Sequence, residues 1–136
     1  MLELVIFVVL FTKLANADSC MHCICLLESG CHPIGCNMDQ GSLSCGYYQI
    51  KLPYYIDCGT PGRGSGEDLT TAWQRCSNDY DCSTQCVQAY YNRYNGLCSS
   101  TGKGSCEIMA RNHNGGPYGC TKSGTDWYWS RIKSCL

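Results

Sequence analysis

The stretch Cys23-Ile24-Cys25-Leu26-Leu27-Glu28-Ser29-Gly30-Cys31-His32-Pro33-Ile34-Gly35-Cys36-Asn37-Met38-Asp39 changes character at Gly30. Before Gly30, apolar residues and cysteines fill a run that Asp18 or Ser19 can cap. That predicts a first helix ending near Leu27 or Glu28, with Gly30 as its stop. After it, Pro33, Gly35, Gly41 and Gly46 interrupt the chain, and β-prone Tyr and Ile gather toward Ile56. That predicts a small antiparallel sheet with turns over 31–56. The same stretch carries two carboxyls in contrasting settings. Glu28 closes an apolar, cysteine-rich run, and such surroundings disfavour its ionised form. Asp39 lies in the polar turn Asn37-Met38-Asp39-Gln40-Gly41-Ser42, which keeps it charged.

Working outward, residues 2–14 are almost wholly apolar and Ala15-Asn16-Ala17 follows. This is the pattern of a signal peptide over 1–17, cleaved after Ala17, although its charged n-region is weak. It leaves one domain, 18–136, destined for secretion, with no further apolar stretch long enough to span a membrane. All fourteen cysteines fall in that domain: Cys20, Cys23, Cys25, Cys31, Cys36, Cys45, Cys58, Cys76, Cys82, Cys86, Cys98, Cys106, Cys120 and Cys135. Behind a signal peptide they are expected to form seven disulfides, with the pairing left open. Cys20-x-x-Cys23 and Cys82-x-x-x-Cys86 also have spacings found in zinc sites, but an oxidising compartment favours bridges, so no metal and no cofactor is expected. Cys20 and Cys23, one helical turn apart, suit two bridges from one helix face. The formal net charge is −1 and there is no basic block, which argues against nucleic-acid binding.

Further along, Gly59 to Gly66 reads as a loop. Helical patterns follow over Glu67–Arg75, Ser83–Tyr94, Ser105–His113 and Thr125–Lys133. The fold class is α+β: several short helices around a small antiparallel sheet, stapled by disulfides.

Two carboxyls, one kept protonated by its surroundings and one ionised, are what glycosidic cleavage requires. Glu28 would protonate the departing oxygen, and Asp39 would attack or stabilise the sugar's anomeric centre. The plainer alternative is a solvated glutamate and a turn-forming aspartate.

The run from Cys23 to Asp39 resembles the opening of invertebrate-type lysozymes, leech destabilases included. So do Gly41-Ser42-Leu43-Ser44-Cys45-Gly46-Tyr47-Tyr48-Gln49-Ile50-Lys51, Tyr54-Tyr55-Ile56-Asp57-Cys58-Gly59, Cys76-Ser77-Asn78-Asp79, Cys86-Val87-Gln88 and Ala110-Arg111-Asn112-His113-Asn114-Gly115-Gly116-Pro117. The resemblance spans essentially the whole chain after the signal peptide. It implies a secreted muramidase acting on bacterial peptidoglycan in defence or digestion, with Glu28 as proton donor and Asp39 as nucleophile. A retaining mechanism is implied too, with the carboxyls about 5–5.5 Å apart. Implied substrate contacts are Lys51, Tyr54, Tyr55, Asp57, His113, Asn114 and Gly115, with Tyr94 a weaker one. Some members also split the isopeptide cross-links of fibrin, and the residues implied for that are Ser44 and Lys51, with His113. Asn37 stands where members often have Arg. Two alternatives from other classes are a non-catalytic, disulfide-rich antimicrobial or binding protein and an interaction protein acting on clotting factors or proteases. The expected state is a monomer or weak homodimer.

Overall fold

The computed structural model describes residues 19–136, so the signal peptide expected over 1–17 lies outside the described residues. A helix over 19–29 (α1) comes first. It buries Cys20, Cys23, Ile24 and Cys25 along one side. Gly30 and Cys31, both at positive φ (68° and 59°), turn the chain out of it. The Cys31 N–H donates back to the Cys25 carbonyl, and the Cys25–Cys31 disulfide closes the same turn.

The sheet is smaller than expected. Only β1 (Cys36–Asp39) and β2 (Ser42–Cys45) form it, antiparallel, with Asp39 opposite Ser42. Gln40 and Gly41 both have positive φ (50° and 84°), the signature of a tight two-residue hairpin turn. Gly46 then passes so close to the next layer that a Cβ would lie 1.6 Å from the Ser77 carbonyl oxygen.

The β-prone residues toward Ile56 are helical instead: Leu52–Asp57 is α2. Pro53 falls in its first turn, where a missing N–H costs no helical hydrogen bond. Tyr55 pins it by burial, its hydroxyl donating to the Pro61 carbonyl at 2.9 Å.

Three longer helices lie near their expected places. α3 (Leu69–Ser77) is capped by Asp68. α4 (Tyr80–Tyr94) starts three residues earlier than its apolar pattern suggests, because Asp79 accepts from the Cys82 N–H. α5 is Ser105–Gly115. Short 3-10 turns at Asn95–Thr101, Gly119–Thr121 and Ser123–Thr125 frame α5 and lead into α6 (Asp126–Cys135).

All fourteen cysteines are paired. Cys20 and Cys23 do supply two bridges from one helix, to Cys106 in α5 and Cys135 in α6. Aromatic and aliphatic side chains fill the space between the bridges, with Ile24, Tyr48, Ile50, Tyr55, Val87, Tyr128 and Ile132 fully buried. No described helix is long and apolar enough to cross a membrane.

Candidate active site

A cleft of about 790 Å³ opens between the hairpin on one side and α2, α4, α5 and α6 on the other. Glu28 and Asp39 both line it, together with Lys51, Tyr54, Asp57, Tyr90, His113, Asn114, Trp127 and Tyr128. α1 delivers Glu28 from its last turn, and the end of β1 delivers Asp39.

The two carboxyls live in different media. The Glu28 side chain is 21% exposed and that of Asp39 is 57% exposed. Burial raises the Glu28 pKa to about 7; the Tyr128 hydroxyl, donating to Oε1 at 2.7 Å, opposes this in part, and the charge on Asp39 adds to it. Near neutrality a large share of Glu28 is therefore a carboxylic acid, able to give up a proton. Asp39 is the exposed partner at the tip of the hairpin. The Lys51 ammonium straddles that tip, donating to the Asp39 carbonyl at 2.7 Å and the Ser42 hydroxyl at 2.6 Å, and it lies 3.6 Å from Asp39 Oδ2.

His113 stands beside Glu28, its Nε2 3.6 Å from Oε1. The contact is not an ion pair. Burial lowers the His113 pKa to about 4, so the ring is neutral. Its Nε2–H donates to the Tyr48 carbonyl at 2.9 Å, and Nδ1 accepts from the Tyr54 hydroxyl at 3.0 Å. Both nitrogens are thus committed within the protein. Tyr54 in turn stacks on Tyr90, with ring centroids 3.7 Å apart. The resulting wall is held by its own contacts before any substrate arrives.

Several of the residues singled out from the sequence stand elsewhere. Tyr55 is a core residue and faces Pro61. Tyr94 packs edge-on against Tyr90 behind the cleft wall. Gly115 is fixed by close packing: a Cβ there would meet Thr125 at 2.6 Å, and its carbonyl accepts from Lys122. Ser44 does not pair with Lys51. Its hydroxyl is buried without a hydrogen-bond partner, and Lys51 reaches Ser42 instead. The physical reason is the hairpin register, which sets Asp39 and Ser42 as the closing pair beneath the lysine.

Tyr90, Trp127 and Tyr128 also line the cleft and are not among the residues singled out from the sequence. Tyr128 lies 100 residues from the carboxyl it touches. Tyr90 is legible only as one of several tyrosines at helical spacing.

The destabilase family's sequence model matches residues 17–135. The chain is 64% identical over 130 residues to invertebrate-type lysozyme 3 of Caenorhabditis elegans, covering 96% of this chain and 93% of that one. Among solved structures it is similar to the Tapes japonica lysozyme, with a TM-score of 0.73 and 51% identity over 85% of this chain and 86% of that one. It is also similar to the Meretrix lusoria lysozyme, solved in complex with Aeromonas hydrophila PliI, with a TM-score of 0.73 and 47% identity over 85% and 87% of the two chains.

Proposed function

The chain belongs to the destabilase family of invertebrate-type lysozymes, and on that footing we propose that it is a secreted muramidase, cleaving the β-1,4 bond between N-acetylmuramic acid and N-acetylglucosamine in bacterial peptidoglycan. The observation that carries this reading is the unequal carboxyl pair on one cleft: Glu28 buried with its pKa raised to about 7, Asp39 exposed at the hairpin tip.

In the first step Glu28 gives its proton to the glycosidic oxygen while Asp39 attacks the anomeric carbon. The sugar–oxygen bond breaks and a glycosyl–Asp39 ester forms. In the second step water attacks the same carbon, its proton goes to the Glu28 carboxylate, and Asp39 is released. Lys51, gripping the turn below Asp39, holds the nucleophile's backbone in place. Asp57 and Asn114 offer polar contacts to sugar hydroxyls and N-acetyl groups along the same cleft.

The disulfides, all formed, fit an extracellular setting. The isopeptide-cleaving reading built on Ser44 is not supported: its hydroxyl is buried away from Lys51, and both His113 nitrogens are already hydrogen-bonded.

The test is the stereochemistry of the product. Wild type releases reducing muramic ends from purified peptidoglycan with retained configuration. Asp39→Ala is inactive in buffer, and azide revives it to yield the glycosyl azide of inverted configuration. A wild type that releases no reducing ends while folded and oxidised would refute the assignment.

A further inference from the structure

The two oxygens of Glu28 are not equivalent. Oε1 receives the Tyr128 hydroxyl at 2.7 Å, and His113 Nε2 lies 3.6 Å from the same oxygen. Among the described residues Oε2 makes no hydrogen bond within the protein, although Glu28 lines the cleft. We propose that Tyr128 is a positioning residue whose hydroxyl, fixed on Oε1, confines the labile proton of Glu28 to Oε2. One and the same oxygen then acts as acid in the first step and as base in the second. The inference rests on the glycosidase reading and adds to it a residue and an atom.

The placement of Tyr128 is enforced from both ends of its helix. At the start of α6, Arg111 of α5 donates to Asp126 at 2.6 Å and Thr125 at 3.0 Å, while its Nε is held by Glu107. At the end, Cys135 is bridged to Cys23 of α1, the helix that carries Glu28. The Tyr128 ring is fully buried, and its hydroxyl meets Glu28 where both line the cleft. Burial and the neighbouring Glu28 push its own ionisation well above the ordinary tyrosine range, so it stays a donor throughout the working pH range.

The other groups around Glu28 do not compete for Oε1. His113, from α5, is neutral and its N–H is committed to the Tyr48 carbonyl. Tyr54, from α2, gives its hydroxyl proton to His113. Asp39, from the hairpin, acts on Glu28 by charge alone and is itself faced by Lys51.

Tyr128→Phe keeps the ring and removes the donor. On a soluble chito-oligosaccharide, kcat is expected to fall about tenfold with KM nearly unchanged. The basic limb of the pH profile is expected to move up by about one unit, because the lost bond favoured the carboxylate. Carbon-13 NMR of the Glu28 carboxyl in the free protein follows the same upward move. The carbonyl stretch of the protonated acid rises in frequency. Replacing Tyr128 by a ring-fluorinated tyrosine, a stronger donor with the same shape, moves the limb and the titration down. That variant decides the matter if Tyr128→Phe does not fold. A limb and a titration that stay in place in either variant, whatever the loss of rate, would reduce Tyr128 to packing and overturn the proposal. A wild type inert toward sugar substrates would instead sink the glycosidase reading, and the NMR titration would still decide the hydrogen bond.

Discussion

Glu28→Gln lowers the rate of wall hydrolysis by about 10³-fold, the scale of a lost general acid, while the protein stays folded. Gln has the same shape, and its carbonyl can still accept from Tyr128; what disappears is the proton. The variant also changes how stability depends on pH. In wild type the folded state holds a proton on Glu28 up to about pH 7, whereas the unfolded chain releases it near 4.5. Rising pH therefore favours unfolding across that window, by about 3 kcal/mol in all. Gln cannot ionise, so the variant gains on wild type as pH rises from 4.5 to 7 and the difference is constant above.

His113 works in the opposite sense. Its pKa is about 4 when folded, against 6.5 for the free side chain. The unfolded chain takes up the proton first, and stability falls as pH drops from 6.5 to 4. Between 4.5 and 6.5 the two slopes largely cancel in wild type, and Glu28→Gln exposes the histidine slope alone. Chemical denaturation at a series of pH values checks this. A variant-minus-wild-type difference that is flat from pH 4 to 8 would show that Glu28 titrates as an ordinary surface carboxyl.

Replacing Cys23 and Cys135 by Ser removes about 4 kcal/mol of stability, because with Cys20–Cys106 still closed the bridge shuts a further loop of roughly thirty residues. That is a large share of the total for a domain of this size. The thermal midpoint falls by about 15 °C or more. The Cys76–Cys82 bridge, with a separation of only 6, is the control: its loss costs about 2 kcal/mol. The two losses differ in kind as well. Cys23–Cys135 ties the helix bearing Glu28 to the helix bearing Tyr128, so activity per folded molecule drops in the first variant. Cys76–Cys82 joins α3 to α4, and activity per folded molecule holds in the second. Calorimetry and specific activity on the same samples separate the two effects. Equal midpoints for the two variants would refute the loop-length account.

How much of this was legible beforehand depended on distance along the chain. Glu28 and Asp39 are eleven positions apart, and their environments could be read from immediate neighbours: an apolar helix end for one, a polar turn for the other. Tyr128 could not be found that way, since nothing near it in sequence marks it as the partner of a carboxyl 100 residues away. Leu52–Asp57 is helical although Tyr and Ile favour strands in general, because Pro53 in a first turn and the burial of Tyr55 favour a helix here. Ser44 and Ser42 lie on the same face of one strand. Which of them meets Lys51 is settled by the backbone of Gln40 and Gly41, and single residues in a turn do not announce their dihedral angles. The disulfide partners were equally hidden, apart from the two bridges that Cys20 and Cys23 had to send from one helix face.

None of the seven disulfides joins the hairpin to the helices. Cys36–Cys45 closes the hairpin on itself, and Cys25–Cys31 stops short of it. The hairpin is docked by weaker means: the Ser29 hydroxyl on the Tyr47 carbonyl, the Tyr47 N–H on the Ser77 carbonyl, the Gly35 N–H on Asn78, and the Lys51 grip on the turn. Glu28 thus sits on a covalently braced frame, and Asp39 rides at the tip of an arm anchored at its base by the buried Cys45 and by hydrogen bonds. The spacing of acid and nucleophile is therefore set by noncovalent docking, and wall-lytic activity is expected to fade at a lower temperature than the calorimetric unfolding of the disulfide-braced frame.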